Sequence, residues 1–238
     1  EENIMNSESN VMLSTQDKID VYMNYFKGRN DCYAIRWEKD DKSGYAPSYS
    51  KEARFLNKEQ RKKIEVSNRY ERLTKDIVLK HLKGSETIGI YPMLDDQVCY
   101  FLAFDFDEEN FKKDVVKFSK VCHAYHINHL IEISRSGKGA HLWIFFETAV
   151  LAKDARKLGR FLLTETMMVH GLKSFKSYDR MFPSQDFIEK DGIGNLIALP
   201  LQGKSGIDGK TLFVDEDLKP YLNQYQTLKD TKKIKHED

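Results

Sequence analysis

Two aspartates at the end of an apolar strand are the residues best placed to do chemistry. The apolar run 98–104 leads into Asp105 and Asp107, and the alternation of a strand puts both carboxylates on one face, with Cα atoms roughly 6.5–7 Å apart. Like charges this close repel each other, and a divalent cation relieves the repulsion. The pattern therefore indicates a metal site. A strand that simply runs into an acidic loop is the alternative, because Glu108 and Glu109 follow.

A glycine-rich turn between two predicted strands carries the second set of residues. Two glycines leave backbone N–H groups open, and the side chains add hydrogen-bond donors and positive charge, a chemistry that suits a triphosphate. The residues concerned are Arg135, Ser136, Gly137, Lys138, Gly139 and His141. The turn is not a Walker A loop, because a strand follows it and no Ser or Thr comes after the Gly-Lys pair. An ordinary hairpin with a polar tip is the alternative.

A third acid lies farther along the chain, in the segment 177–186. Asp179 lies early in this segment and Asp186 closes it. Either carboxylate could complete a three-carboxylate site with Asp105 and Asp107.

The elements that must position these residues follow from apolar periodicity, capping residues and turn signals. We predict a first helix that is capped by Ser14 or Thr15 and stops at residues 27–29, a strand over 32–37, and a loop through Gly44 and Pro47. A short helix capped by Thr74 ends near Gly84. Further strands are predicted at 98–106, 129–134, 141–147, 196–199 and 212–214, and helices at 111–126, at 151–169 and near the C-terminus. This order indicates an α+β (mixed α/β) fold.

Composition excludes several classes of protein. Of 238 residues, 40% are hydrophobic, enough for a substantial core,. The 38 basic and 37 acidic side chains leave a net charge of +1, which excludes a polycation,. This balance conceals a basic segment, because residues 51–80 hold ten Lys or Arg and five acids. No apolar run approaches the roughly 18 residues of a membrane span.

Cysteine usage predicts reduced thiols. Cys32, Cys99 and Cys122 are far apart and odd in number, which is typical of a cytoplasmic protein without a disulfide framework.

Three motifs in this order resemble those of the archaeo-eukaryotic primase superfamily. They are the strand ending in Asp105-Phe106-Asp107, the loop Ser136-Gly137-Lys138-Gly139-Ala140-His141, and the pair Tyr178-Asp179. Segments 26–29, 88–92, 134–141, 182–186 and 194–202 resemble more narrowly the primase domains of TOTE conflict systems and CRISPR-associated primase-polymerases. The resemblance covers roughly residues 18–215.

The resemblance implies roles for individual residues. Asp105, Asp107 and Asp179 would bind two catalytic Mg²⁺ or Mn²⁺ ions, with Asp179 preferred to Asp186 because the family's third motif is a hydrophobic residue followed by Asp. The nucleotide's phosphates would be held by Ser136, Lys138 and His141, with Gly137, Gly139 and Arg135 in the same loop. Looser candidates for phosphate contacts are Arg29, Arg36 and Arg180. Relatives often carry a cysteine cluster that binds zinc after residues 44–47; residues 48–50 and the basic segment take its place here, so no zinc is expected.

The same resemblance implies a fold and an activity. We expect an archaeo-eukaryotic primase catalytic core with an RNA-recognition-motif-like sheet and an N-terminal α/β unit. The predicted divisions are a flexible edge at 1–12, the N-terminal unit with its basic segment at 13–85, the catalytic core at 86–215, and a C-terminal helix and tail at 216–238. The activity would be that of a DNA primase-polymerase, which transfers nucleotides from dNTPs or NTPs to a 3′-hydroxyl on single-stranded DNA and initiates primers.

Partners and alternatives complete the predictions. The expected partners are a single-stranded template, nucleoside triphosphates and other domains of a longer polypeptide, with no membrane. The basic segment is either a solvated helical face or a surface for the template strand. A two-metal phosphodiesterase or nuclease would use the same carboxylates, and a non-catalytic nucleic-acid-binding module would use the basic segment alone.

Overall fold

Residues 13–235, the part of the chain that this computed structural model describes, contain nine strands and eight helices. The strands are β1 (Ala34–Lys39), β2 (Lys42–Pro47), β3 (Ile88–Ile90), β4 (Val98–Asp107), β5 (Leu130–Ile133), β6 (Gly139–Leu151), β7 (Tyr178–Phe182), β8 (Ile197–Ala198) and β9 (Phe213–Val214). The helices are α1 (Thr15–Tyr25), α2 (Lys58–Lys62), α3 (Val66–Arg69), α4 (Lys75–Lys83), α5 (Phe111–Ala124), α6 (Ala152–Val169), α7 (Gly203–Ile207) and α8 (Gln224–Asp230). The mixture of antiparallel sheets and helices confirms the predicted α+β class.

The larger sheet has the order β7-β4-β6-β5-β9, and all of its neighbouring strands are antiparallel. From β4 to β7 the chain runs strand, helix, strand, strand, helix, strand. Numbered along the chain, these four strands lie in the spatial order 4-1-3-2, which is the ferredoxin-like arrangement shared by RNA-recognition-motif sheets. The predicted sheet type is therefore confirmed, with β9 added at one edge.

The smaller sheet has the order β2-β1-β3-β8. It joins strands from the predicted N-terminal unit with two short strands from the predicted core. The boundary between residues 85 and 86 stays a prediction, and residues 1–12 lie outside the described residues.

The two faces of the larger sheet pack against different elements. One face packs under α5 and α6 through Phe104, Leu142 and their neighbours. The opposite face packs against α1 and the smaller sheet through Phe101, Trp143 and their neighbours. Because side chains alternate along a strand, this second face of β4 continues past its apolar residues to Asp105,. The carboxylate thus emerges at the point where the apolar core ends.

Local sequence explains the helix ends. Ser14 caps α1 in a capping box with Asp17, and Thr74 caps α4, which ends at Gly84 in the left-handed conformation,. The predicted starts of both helices and the predicted end of α4 are confirmed, whereas α1 ends at Tyr25, shortly before the predicted stop at 27–29. No helix within residues 13–235 combines the length and the apolar composition that crossing a bilayer requires.

The prediction of a loop through Gly44 and Pro47 is wrong, because this segment is strand β2. It forms a hairpin with β1 in which Gly44 lies opposite Trp37. A Cβ at Gly44 would lie 3.1 Å from the Trp37 indole. The Trp37 ring therefore covers the backbone of Gly44, where a side chain would otherwise lie, and compensates for the weak strand preference of glycine.

All three cysteines are buried and unpaired in the fold. Burial raises the pKa of Cys32, Cys99 and Cys122 to about 12. Thiols with so high a pKa stay protonated at neutral pH and are poor nucleophiles.

Candidate active site

The carboxylates of Asp105, Asp107 and Asp179 converge at one end of the larger sheet. Asp105 and Asp107 come from the end of β4, and Asp179 comes from the neighbouring β7. One ligand oxygen from each side chain lies within 4.8 Å of the other two. In the described part of the chain, these acids form the one cluster of three metal-ligating side chains this close together. An all-carboxylate donor set suits a hard divalent cation such as Mg²⁺ or Mn²⁺, so the residues fit the predicted ions.

Asp186, the other candidate for the third carboxylate, is engaged elsewhere. Its Oδ1 accepts a hydrogen bond of 2.6 Å from Arg156 Nε, and the same guanidinium donates to the carbonyl of Pro183. The structure therefore brings Asp179, and not Asp186, to the pair on β4.

The close approach of the three carboxylates and the burial of the site shift the pKa values of Asp105 and His141. Burial raises the pKa of Asp105 to about 6, with further upward contributions from Asp107 and Asp179 that His141 opposes. Burial alone would lower the pKa of His141, but the adjacent Glu132 carboxylate, together with Asp105, raises it to about 9. The site therefore holds a cationic imidazole beside acids whose negative charges lack full compensation.

We expect Mn²⁺ affinity to fall as the pH decreases through about 6. The raised pKa of Asp105 means that a proton occupies this carboxylate at lower pH, and a metal ion must displace that proton to bind,. Calorimetric titration of Mn²⁺ into the protein at several pH values measures the effect. An affinity that stays constant from about pH 5 to about pH 7.5 would contradict this assignment of the ligands.

The glycine-rich turn lies beside the acidic cluster because β6 pairs with β4. The register places His141 opposite Asp105 and Gly139 opposite Asp107. A Cβ at Gly139 would lie 2.3 Å from Asp107 Oδ1, so only glycine leaves room for that carboxylate. Gly137 has φ +73°, a conformation that favours glycine and lets the turn close,.

Side chains of the turn point in different directions. Ser136 and Lys138 are exposed, and the Ser136 hydroxyl accepts a hydrogen bond of 3.1 Å from the Lys138 backbone N–H. His141 is buried, and its Nε2 lies 3.5 Å from Asp105 Oδ1. The turn thus presents its polar groups at the same end of the sheet as the acids.

Arginines predicted as looser phosphate contacts have mixed placements. Arg29 is buried and bonded to Asp31 and Asp95, so it is committed to the fold. Arg135 Nη2 lies 3.6 Å from Glu38 Oε1, the oxygen that also accepts from Arg36 Nε at 3.1 Å. Glu38 therefore links the β1–β2 hairpin to the glycine-rich turn.

Arg180 is different, because it lies on β7 next to the acidic cluster. Its Nε donates a hydrogen bond of 2.7 Å to Asp179 Oδ2. This contact orients the third carboxylate.

Two residues near the site escape sequence reasoning. Glu132 on β5 accepts a hydrogen bond from His141, and the signal for it is an acid between two isoleucines in an apolar strand. Lys210 lies beside the turn, with its Cε 3.2 Å from where a Cβ of Gly137 would be. No local pattern marks Lys210, since its position depends on the pairing of Thr211 and Leu212 with Ile133.

The basic segment is partly used for its own architecture. The Arg61 guanidinium lies 3.9 Å from the centre of the Tyr49 ring, and its Nε donates to the Ala53 carbonyl at 3.0 Å. Arg69 donates to the Ile64 carbonyl at 2.8 Å. Both arginines therefore stabilise the segment. Its exposed lysines are Lys51, Lys58, Lys62, Lys63, Lys75 and Lys80, of which Lys75 pairs with Asp20 and Lys80 with Glu86.

Comparison with solved structures finds a distant similarity in fold. A structure described as the polymerase domain from Mycobacterium tuberculosis Ligase D in complex with DNA superposes with a TM-score of 0.47 at 12% sequence identity. The alignment covers 90% of this chain and 82% of that one. No curated protein matches the sequence.

Comparison with family models is decisive. The model of the archaeo-eukaryotic primase domain of TOTE conflict systems matches residues 17–238, which is nearly the whole chain. The match includes both strands of the acidic cluster and the glycine-rich turn between them. The chain therefore belongs to the archaeo-eukaryotic primase domain family of the TOTE conflict systems.

Proposed function

We propose that this protein is a DNA primase-polymerase that adds nucleotides from nucleoside triphosphates to a 3′-hydroxyl, templated by single-stranded DNA. Membership of the primase domain family supports nucleotidyl transfer as the general chemistry. The single observation that carries the specific proposal is the acidic cluster beside the glycine-rich turn, joined by the pairing of β4 with β6. Three carboxylates and the polar groups of the turn therefore lie at one end of one sheet, which supports the proposal.

Asp105, Asp107 and Asp179 are the proposed ligands of two divalent ions, Mg²⁺ or Mn²⁺. When bound, such ions supply activation of the attacking hydroxyl and neutralisation of the departing pyrophosphate. The protein's own part is to hold three carboxylate oxygens within 4.8 Å of one another on two adjacent strands. Rigid strands keep this geometry more reliably than loops do.

The proposed phosphate-binding residues surround the turn. They are Arg135, Ser136, Gly137, Lys138, Gly139 and His141. We add Lys210 to them, because its side chain lies beside Gly137. Cationic and N–H donors fixed before the substrate arrives stabilise the charge that develops on the leaving phosphates. They also hold the triphosphate in line with the attacking group.

The other proposed partners, the template strand and further domains, would contact surfaces outside the active site. We assign template contacts to four exposed lysines of the basic segment, Lys51, Lys58, Lys62 and Lys63, because exposed cations bind a phosphate backbone without regard to sequence,. Further domains of a longer polypeptide are also proposed as partners. The three unpaired cysteines support a location in the cytoplasm,.

Primer synthesis tests the proposal. The protein is incubated with circular single-stranded DNA, labelled dNTPs or NTPs and Mn²⁺ or Mg²⁺, with and without an annealed primer. We expect labelled products whose length depends on the template and which are absent after chelation of the metal. Cleavage of the DNA without any nucleotide requirement would instead support a two-metal nuclease and overturn the proposal.

A further inference from the structure

Glu132 is a carboxylate buried inside an apolar strand. It is 1% exposed, between Ile131 and Ile133 on β5. Burying a carboxylate costs free energy unless hydrogen bonds compensate for the lost water. The contacts of Glu132 therefore identify the reason for its presence.

One oxygen of Glu132 holds two side chains of β6. Oε2 accepts a hydrogen bond of 2.9 Å from His141 Nδ1 and one of 2.8 Å from Trp143 Nε1. The register pairs Glu132 with His141 and Leu130 with Trp143, so all of these side chains share one face of the sheet. The indole N–H is a donor only, and Trp143 is fully buried,. Trp143 therefore fixes the carboxylate, and the carboxylate fixes the imidazole.

The second nitrogen of the imidazole faces the acidic cluster. His141 Nε2 lies 3.5 Å from Asp105 Oδ1. Because a carboxylate can only accept, Nδ1 carries a proton toward Glu132, and Nε2 is the nitrogen left for a ligand. Glu132 itself is not a member of the three-acid cluster. Its contacts point to orientation of His141 and not to metal binding.

We propose that Glu132 is a positioning residue that holds the His141 imidazole with Nε2 aimed at the phosphates of the incoming nucleotide. The inference rests on the proposed function, because it assigns a task to a residue of that site. It goes beyond that function by adding a residue that is neither a metal ligand nor part of the glycine-rich turn, and that acts through its hydrogen bond with His141. The same arrangement of carboxylate, histidine and ligand occurs at metal sites, where the carboxylate fixes the ring orientation.

A double-mutant cycle tests whether Glu132 acts through His141. Glu132→Gln keeps the shape and an acceptor oxygen but removes the charge. We expect the KM for the nucleoside triphosphate to rise roughly 10-fold, because a weaker neutral hydrogen bond replaces the charge-assisted one to His141. The kcat should change much less, because the acidic cluster is intact. In a His141→Ala background, Glu132→Gln should change KM less than about 2-fold.

Different results would overturn the inference alone or the inference together with the proposed function. A merely structural role would give Glu132→Gln the same effect in both backgrounds and overturn the inference. No change in KM in the wild-type background would overturn it equally. Absence of synthesis by the wild-type protein, with either metal, would overturn the proposed function and the inference with it.

A second measurement needs no substitution at Glu132. In protein labelled with ¹⁵N-histidine, His141 is assigned by comparison with His141→Ala, and its ring nitrogens report which of them carries a proton. We expect a protonated, hydrogen-bonded Nδ1 at neutral pH. A bare Nδ1 would show that Glu132 does not hold the ring, and would overturn the inference even if the Glu132→Gln protein did not fold.

Discussion

Asp107→Asn is expected to reduce the rate of nucleotide addition by roughly 1000-fold, a loss of about 4 kcal/mol of transition-state stabilisation. The neutral amide cannot replace a charged ligand in a cluster whose oxygens lie within 4.8 Å of one another. The same substitution at Asp105 or Asp179 should have a similar effect. Primer extension under single-turnover conditions with Mn²⁺ measures the rate.

Asp186→Asn is the matched control. Asp186 is also a carboxylate in the third motif region, but it is bonded to Arg156 away from the cluster. We expect its rate to stay within a few-fold of wild type, since an exposed ion pair contributes roughly 1 kcal/mol or less. A large loss at Asp186 together with a small loss at Asp179 would show that the third ligand is misassigned.

Asp105→Asn should increase the stability of the protein although it lowers the rate of nucleotide addition. The pKa of this acid is raised from 3.8 to about 6 in the folded protein. The folded state therefore binds a proton at Asp105 more tightly than the unfolded state does. This proton binding stabilises the fold below about pH 4, and its contribution to the free energy of unfolding is lost as the pH rises through about 6. At neutral pH, Asp105→Asn should consequently raise the melting temperature of the metal-free protein, by roughly a few degrees. A fall in melting temperature would contradict this account of the charge crowding.

Gly139→Ala is expected to reduce activity by at least roughly 100-fold, without touching any charged group. The added methyl would lie 2.3 Å from Asp107 Oδ1 and 2.7 Å from the Phe106 carbonyl oxygen, closer than atoms approach in proteins. The carboxylate must move out of the cluster to make room. Extension assays and Mn²⁺ titration together measure the effect, since displacement of a ligand should weaken both.

A glycine away from the site provides the comparison for that substitution. Gly206 lies in α7, where an added Cβ would meet only the tip of Leu212 at 3.3 Å. Gly206→Ala should leave extension and Mn²⁺ affinity close to those of wild type. If Gly139→Ala behaved in the same way, the close packing of the turn against Asp107 would have no role in the reaction.

Much of the site could be predicted because short-range rules determine it. Strand alternation alone places Asp105 and Asp107 on one face, and the apolar run before them indicates that the strand is buried,. The glycines and cations of the turn are contiguous, so their chemistry is visible without a fold. The choice of Asp179 over Asp186 needed the family's third motif, a hydrophobic residue followed by Asp, which Tyr178-Asp179 matches.

The unpredicted parts depend on pairing between distant strands. Strand β7 is short, and its consecutive residues Asp179 and Arg180 are both exposed, so its pattern resembles a polar loop. The role of Glu132 depends on the register of β5 against β6, which brings His141 opposite it. The sequence shows the charge of the basic segment, but not the carbonyls to which its Arg61 is bonded. Register and tertiary hydrogen bonds are long-range properties that local patterns do not contain.

The most direct test is a crystal of the protein grown with Mn²⁺ and a non-hydrolysable dNTP, with data collected at a wavelength where manganese scatters anomalously. We predict anomalous peaks between Asp105, Asp107 and Asp179, with the triphosphate lying along residues 135–141 and reaching His141 Nε2. Manganese bound away from these three carboxylates, or a triphosphate bound away from the glycine-rich turn, would contradict the proposed active site.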